Sequence, residues 1–218
     1  ILHKISDDVL VDITEEDFEG VPVISTGILS LDWGLGGGVP KGMITSFWGP
    51  EGGGKTVLSL VISAMAQKLH NNTGTVGFVD LEAKLRDMRL LNQIGIDRER
   101  FYLMRPDNGD EAANIMKELI FSGELDLLVL DSVTMMKPEK AQQADSQDHQ
   151  MALTARLMSD WLPTVTPALG TTETAFLILG QERTRIEQWG AIPGPTGGRA
   201  LRHAAVVECR IRKAGKPI

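Results

Sequence analysis

The sequence predicts an α/β fold of three layers, with a mainly parallel central sheet flanked by helices. Three observations predict it. Short apolar runs at Met43–Trp48, Thr75–Asp80, Phe101–Met104, Leu125–Leu130 and Thr174–Leu179 end in polar residues or glycine. That is the pattern of strands buried on both faces. Stretches with helical spacing alternate with them, and a β-α-β-α-β order implies a parallel core sheet. Finally, the spacing G-x-x-x-x-G-K-[ST] occurs between the first run and the first long helix, as Gly49-Pro50-Glu51-Gly52-Gly53-Gly54-Lys55-Thr56. There a helix N-terminus and a curl of backbone N–H groups can hold a phosphate.

Taken in order, residues 1–21 form an acidic N-terminal arm, with Thr14 placed to cap a short helix, and residues 22–218 form the core. Ser25-Thr26-Gly27 turns into a short half-buried helix carrying Leu29, Leu31, Asp32 and Leu35, followed by the Gly36-Gly37-Gly38 loop. After the phosphate loop, Val57, Leu58, Val61, Ile62 and Met65 mark a helix. A further helix is expected over Leu85–Ile94, stopped by Gly95, and another over Glu111–Phe121, capped by Asp110. Residues 134–150 read as a polar surface loop, and a helix over Met151–Trp161 is expected to end or kink at Pro163. A second long loop covers 182–198, and loops of that length inside a compact domain are usually functional. A helix over Arg199–His203 and a strand over Ala205–Ile211 close the chain.

Composition narrows the function classes. The chain has 218 residues, 42% of them hydrophobic and 23% charged, as globular proteins do. Its start at Ile1 rather than Met is expected of a trimmed longer protein. Single Cys209 cannot make an internal disulfide and fits a reducing compartment. No long apolar run or basic-then-apolar leader is seen, so neither a membrane span nor a secretory signal is expected. Net charge is −7, but unevenly spread: residues 1–20 carry one Lys and seven acidic groups, while residues 181–218 carry eight Lys/Arg and three Glu. A locally basic end can still bind a polyanion, since the field near the site decides.

Chemistry concentrates at the strand ends, where open α/β sheets bind ligands. Four runs lead into Gly49, Asp80 with Glu82 beyond it, Asp131 and Gln181. Lys55 would reach the outer phosphates of ATP and Thr56 would ligate Mg²⁺. Asp131 is the candidate for the acidic partner of that Mg²⁺. A carboxylate that orients or deprotonates water is needed for hydrolysis, and Glu82 is preferred to Asp80 because it lies past its strand. Gln181 could sense the terminal phosphate and pass its state to the loop behind it.

With those residues placed, the chain resembles RecA-type DNA recombinases of the bacterial and phage branch. The resemblance rests on Ile24–Asp32 with its glycine loop, Gly49-Pro50-Glu51, Phe78–Glu82, Val129–Val133, Met151–Ser159, and Gly197-Gly198 before a short basic helix. These segments stand in family order over about residues 22–213. It implies a RecA-like phosphate-loop ATPase core that uses ATP and Mg²⁺ to assemble helical filaments on single-stranded DNA. Such filaments pair that strand with homologous duplex DNA and exchange strands, in the bacterial cytoplasm. It implies that Glu82 activates water and that Gln181 links ATP to DNA. Residues 139–150 resemble the family's first DNA-binding loop, with Met151, Arg156 and Ser159 behind it, and residues 182–198 resemble the second. There Arg183, Arg185 and Arg199 would neutralise phosphates, Gly197 and Gly198 would offer backbone N–H groups, and Trp189 or Ile186 would wedge or stack between bases.

Departures accompany the match. Pro163 stands where bacterial members often carry a basic residue, and the adenine-side pattern over Leu85–Arg89 leaves Asp87 as the expected base contact. The chain stops before the region where the family supplies lysines across the subunit interface, and its docking helix is not recognisable in residues 1–20. A divergent, phage-encoded member is the expectation these raise. A ring-forming helicase of the same core fold and a regulatory ATPase or kinase with a protein partner stay open beside the recombinase.

Overall fold

The computed structural model describes residues 20–142, 147–187 and 190–213. Most of the acidic arm therefore lies outside the described residues. Among the described residues, nine strands and eight α-helices run in chain order: β1 Val23–Ile24, α1 Leu29–Gly34, β2 Val39–Pro40, β3 Ile44–Gly49, α2 Lys55–Ala66, α3 Leu69–Asn72, β4 Val76–Asp80, α4 Met88–Ile94, β5 Phe101–Met104, α5 Gly109–Ser122, β6 Leu127–Asp131, α6 Glu139–Gln142, α7 Gln147–Thr172, β7 Ala175–Glu187, β8 Gly190–Pro195, α8 Gly198–Ala204 and β9 Ala205–Arg210. The main sheet has the order β5-β4-β6-β7-β3-β9, parallel throughout, and β8 adds an antiparallel partner to β7. β1 and β2 form a separate antiparallel pair.

Alternation along the central strands builds the three layers. Leu128, Leu130, Phe176 and Ile178 face a cluster with Met116 and Ile120 of α5 and Trp161, Leu162 and Val165 of α7. Leu127, Val129, Leu177 and Leu179 face the other side, with Leu60 and Ile62 of α2 and Leu91 of α4. Both faces of the strands are covered, which is why the runs read as continuously apolar. The expected α/β architecture is what the chain adopts.

Several local expectations are corrected. Asn108, not Asp110, caps α5: its side chain accepts from Glu111 N at 2.9 Å, and Glu111 returns the favour to Asp107 N at 2.7 Å. Asp110 sits in the first turn and accepts from Glu139 N. The helix expected from Leu85 begins at Met88, because Leu85 is buried within the loop before it, its N–H taken by Asp80, and Asp87 forms the cap. Pro163 does not end its helix. α7 continues to Thr172 through Pro163 and Pro167, both on the exposed side, because Met158, Trp161, Leu162, Val165 and Leu169 form a buried stripe. Trp161 Nε1 also donates to Ala113 O at 2.9 Å. Burial of that stripe outweighs the two missing amide donors.

The expected loop at 134–150 is largely helical, formed by a 3₁₀ turn at Val133–Met135, α6 and the start of α7, with 143–146 outside the described residues. Helix α1 has no buried residue: Leu29 and Trp33 are exposed, and the helix is tied down through Asp32, which accepts from Ser25 Oγ, Thr26 N and Thr26 Oγ1. Among the described residues, no helix is long and apolar enough to cross a membrane.

At the amino ends of the strands, Asp126 gathers Lys41 (3.1 Å), His70 (2.8 Å) and the Thr75 backbone N–H (3.0 Å). Burial pushes this carboxyl up, but Thr75, His70 and Lys41 together hold it below the usual aspartate range. Replacing Asp126 with Ala should cost about 1–3 kcal/mol at neutral pH, measured by urea unfolding. Because the folded value is depressed, the contribution is present above about pH 4 and is lost as pH falls through the folded pKa. The gap between wild type and variant should close in acid.

Candidate nucleotide site

The sheet's register brings the strand ends together. Gly49 pairs with Gln181 across β3 and β7, and Asp80 pairs with Asp131 across β4 and β6. Residues Glu51–Val57, Glu82, Lys84, Asp131, Ser132 and Gln181 line one cleft of about 400 Å³. That is the size range of small-ligand sites.

The phosphate loop is shaped by two glycines in particular. At Gly49 a Cβ would lie 1.8 Å from the Ile211 carbonyl oxygen, because the chain beyond β9 passes directly beside it. Gly54, at φ 91°, makes the left-handed step that starts α2 and aims its free N–H groups into the cleft. Lys55 Nζ lies on the Gly49 and Pro50 carbonyls at 2.9 and 2.8 Å. Burial and the neighbouring Lys84 push its pKa down. It is held by carbonyl groups that a phosphate can displace.

Thr56 Oγ1 donates to Asp131 Oδ2 at 2.6 Å. Burial pushes the Asp131 carboxyl up, only partly offset by Thr56. A hydroxyl and a carboxylate are hard oxygen donors, and two such ligands with the remainder from phosphate and water suit Mg²⁺. Exposed N–H groups, a cation and that oxygen pair on one wall fit a magnesium-bound polyphosphate.

Asp80, the last residue of β4, and Glu82, two residues beyond it, have separate surroundings. Asp80 is buried and accepts from Lys84 N at 3.1 Å and Leu85 N at 3.0 Å, with Arg105 Nε at 3.6 Å. It holds the following loop together. Glu82 instead lines the cleft, accepting from Ser132 Oγ at 2.5 Å and Gln181 Nε2 at 3.4 Å, and forming an ion pair with Lys84. Burial pushes Glu82 up, yet Lys84, Ser132 and Gln181 more than reverse this and keep it ionised. Of the two, Glu82 is the one that lines the cleft.

Sequence reasoning missed Lys84, Ser132, Thr134 and Thr196. Thr134 and Thr196 hydroxyls stand 2.9 Å apart and both reach Gln181 N, while Thr196 N donates to Gln181 O. Their signal was faint: Ser132 and Thr196 are small hydroxyl residues beside Asp131 and Gly197, Thr134 lies three places past Asp131, and Lys84 lies two places past Glu82.

Asp87 does not line the cleft; it caps α4 and pairs with Arg89 at 3.0 Å. The loop expected at 182–198 is mostly a hairpin, β7 running on to Glu187 and pairing with β8 from Glu182↔Pro195 to Glu187↔Gly190. Its alternation was hidden by two prolines and several glycines, which an edge pair tolerates. Arg183 and Arg185 lie on the β7 arm, and Trp189 lies outside the described residues. Gly197 caps α8, Gly198 packs beside Ala155 of α7, and Arg199 is exposed. On α7 lie Met151 and the exposed pair Arg156, near Asp160, and Ser159, bonded back to Ala155 O. The helix elements α7 and α8 thus bring these candidates to one side, next to the base of the hairpin.

The family profile for the RecA N-terminal domain matches residues 1–218. The chain belongs to the RecA N-terminal domain family. Protein RecA of Deinococcus radiodurans is 43% identical over 199 residues, covering 90% of this chain and 54% of that protein. Protein RecA of Thermus aquaticus is 40% identical over 200 residues, covering 91% and 58% respectively. The DNA repair protein recA homolog 3, mitochondrial, of Arabidopsis thaliana is 39% identical over 200 residues, covering 89% and 46%. The chain spans about half the length of the curated relatives it matches.

The close approach at Gly49 yields a direct test. Gly49→Ala should lose about 1–3 kcal/mol or more of stability, since β3 and the segment after β9 must separate. An unaltered urea midpoint would show that the contact is not tight.

Proposed function

We propose that the chain is the ATPase core of a DNA recombinase, using ATP and Mg²⁺ to form filaments on single-stranded DNA, pair it with homologous duplex DNA and exchange strands, in the bacterial cytoplasm. The residues 22–218 constitute that core, with 1–21 an acidic arm. The observation that carries the reading is the junction at Gln181. Its side chain reaches Glu82 in the cleft, and its own strand continues without a break into the hairpin at 182–195. The cleft and the hairpin that carries Arg183 and Arg185 are therefore one backbone.

In this reading the loop N–H groups and Lys55 hold the phosphates of the substrate, and Thr56 and Asp131 hold the metal. The metal, when bound, would supply positive charge that offsets the charge of the phosphates. Glu82 orients and accepts a proton from the attacking water. Gln181 reports the state of the terminal phosphate to the hairpin through Thr134 and Thr196 at its base. Arg183, Arg185 and Arg199 neutralise DNA phosphates, Met151, Arg156 and Ser159 contribute from α7, Gly197 and Gly198 offer backbone N–H groups, and Trp189 meets the bases. Asp87 is the adenine-side contact.

ATPase rate with and without single-stranded DNA, combined with negative-stain images, tests the whole. Stimulation by DNA and helical filaments are expected; closed rings, or indifference to DNA, would overturn the reading. Lys55→Ala should abolish turnover, and wild-type turnover in that variant would refute the site. Combined Arg183→Ala and Arg185→Ala should weaken DNA binding and reduce the salt slope by about two. An unchanged slope removes the hairpin from the DNA interface.

A further inference from the structure

The cleft contains a cation with no part in the scheme above. Lys55 and Lys84 share the lining with three carboxylates, Glu51, Glu82 and Asp131. Lys55 belongs to the phosphate loop itself and lies against its carbonyls. Lys84 comes from the segment after β4, which also carries Glu82. Its root is fixed: the buried Asp80 carboxylate accepts both Lys84 N and Leu85 N. Ala83, in the left-handed region at φ 50°, turns the chain so that the Lys84 side chain returns over Glu82.

The two partners of that ion pair are unequally committed. The Glu82 side chain is 8% exposed and is also held by Ser132 and Gln181, whereas the Lys84 side chain is 43% exposed. Glu82 cannot leave without abandoning two further hydrogen bonds. Lys84 can, because its long stem pivots on a fixed root and its tip already meets water. A phosphate group carries more charge than one carboxylate, so an arriving polyphosphate competes for the ammonium.

We propose that Lys84 is a ligand for the terminal phosphate of a bound nucleoside triphosphate, and that it leaves Glu82 to take up that position. The inference rests on the ATPase reading of the same cleft. In that reading Glu82 stands beside the terminal phosphate, so a cation in contact with Glu82 meets the same group. The loop N–H groups and Lys55 hold phosphates common to diphosphate and triphosphate; Lys84 adds a contact that only the triphosphate offers. The exchange also serves catalysis. A carboxylate tied to an ammonium is a poor base, and release of Lys84 frees Glu82 to accept a proton once the triphosphate is in place.

Calorimetric titration of the full chain with Mg²⁺ and either AMP-PNP or ADP tests this. Lys84→Ala should bind AMP-PNP about ten- to hundredfold more weakly than wild type, with ADP affinity changed less than about twofold. Lys84→Arg should keep most of the triphosphate affinity. A thermal melt accompanies each variant, and Lys84→Gln, of matching length, repeats the comparison if the alanine variant melts low. Equal loss for both nucleotides, or loss for neither, would overturn the inference and leave Lys84 as a positioning partner of Glu82. Wild type that binds neither nucleotide would overturn the ATPase reading itself, which is a different result.

Discussion

The position of Gly49 constrains everything around it. β3 lies between β7 and β9, so the last residue of the strand meets Gln181 on one side and the Ile211 carbonyl on the other. A side chain there would wedge the sheet open at the end where the ligands converge. The absence of one lets three strand ends close to a common level. The phosphate loop, Gln181 and the chain leaving β9 then share one rim. Glu82 and Asp131 join that rim through the in-register pairing of β4 with β6.

Division of labour among carboxylates follows from depth. Asp80 and Asp131 are both buried at the last position of their strands and pair with each other in register. Asp80 spends itself on backbone N–H groups, which orders the loop carrying Glu82 and Lys84. Asp131 keeps a hydroxyl partner from α2, which joins the loop helix to the sheet centre. Glu82, two residues beyond its strand, lines the cleft itself. At the opposite end of the sheet Asp126 performs a purely structural task with the same chemistry, binding a lysine, a histidine and a backbone N–H.

The elements legible in the sequence were those specified by local rules. The buried strands announced themselves as uninterrupted apolar runs, and the phosphate loop by a fixed spacing of special residue types. What misled was long-range. Pro163 signals a helix end, but the stripe from Met158 to Leu169 is held by α5 and by the sheet, and neither is visible in the local window. Residues 182–198 signal a loop by composition, yet the first arm is an extension of a core strand and inherits its direction. Lys84 and Ser132 acquire meaning only when Glu82 folds back against them, a pairing 50 residues apart in the case of Ser132. The acids at the strand ends were readable; their neighbours required the fold.

β7 changes allegiance midway. Up to Gln181 it pairs in parallel with β3 and β6, and from Glu182 onward it pairs antiparallel with β8 alone. One strand thus belongs to two structures of different tenure, one embedded in the core and one supported by a single edge. In consequence the outer half, paired with β8, can change without disturbing the pairing of the inner half with β3 and β6.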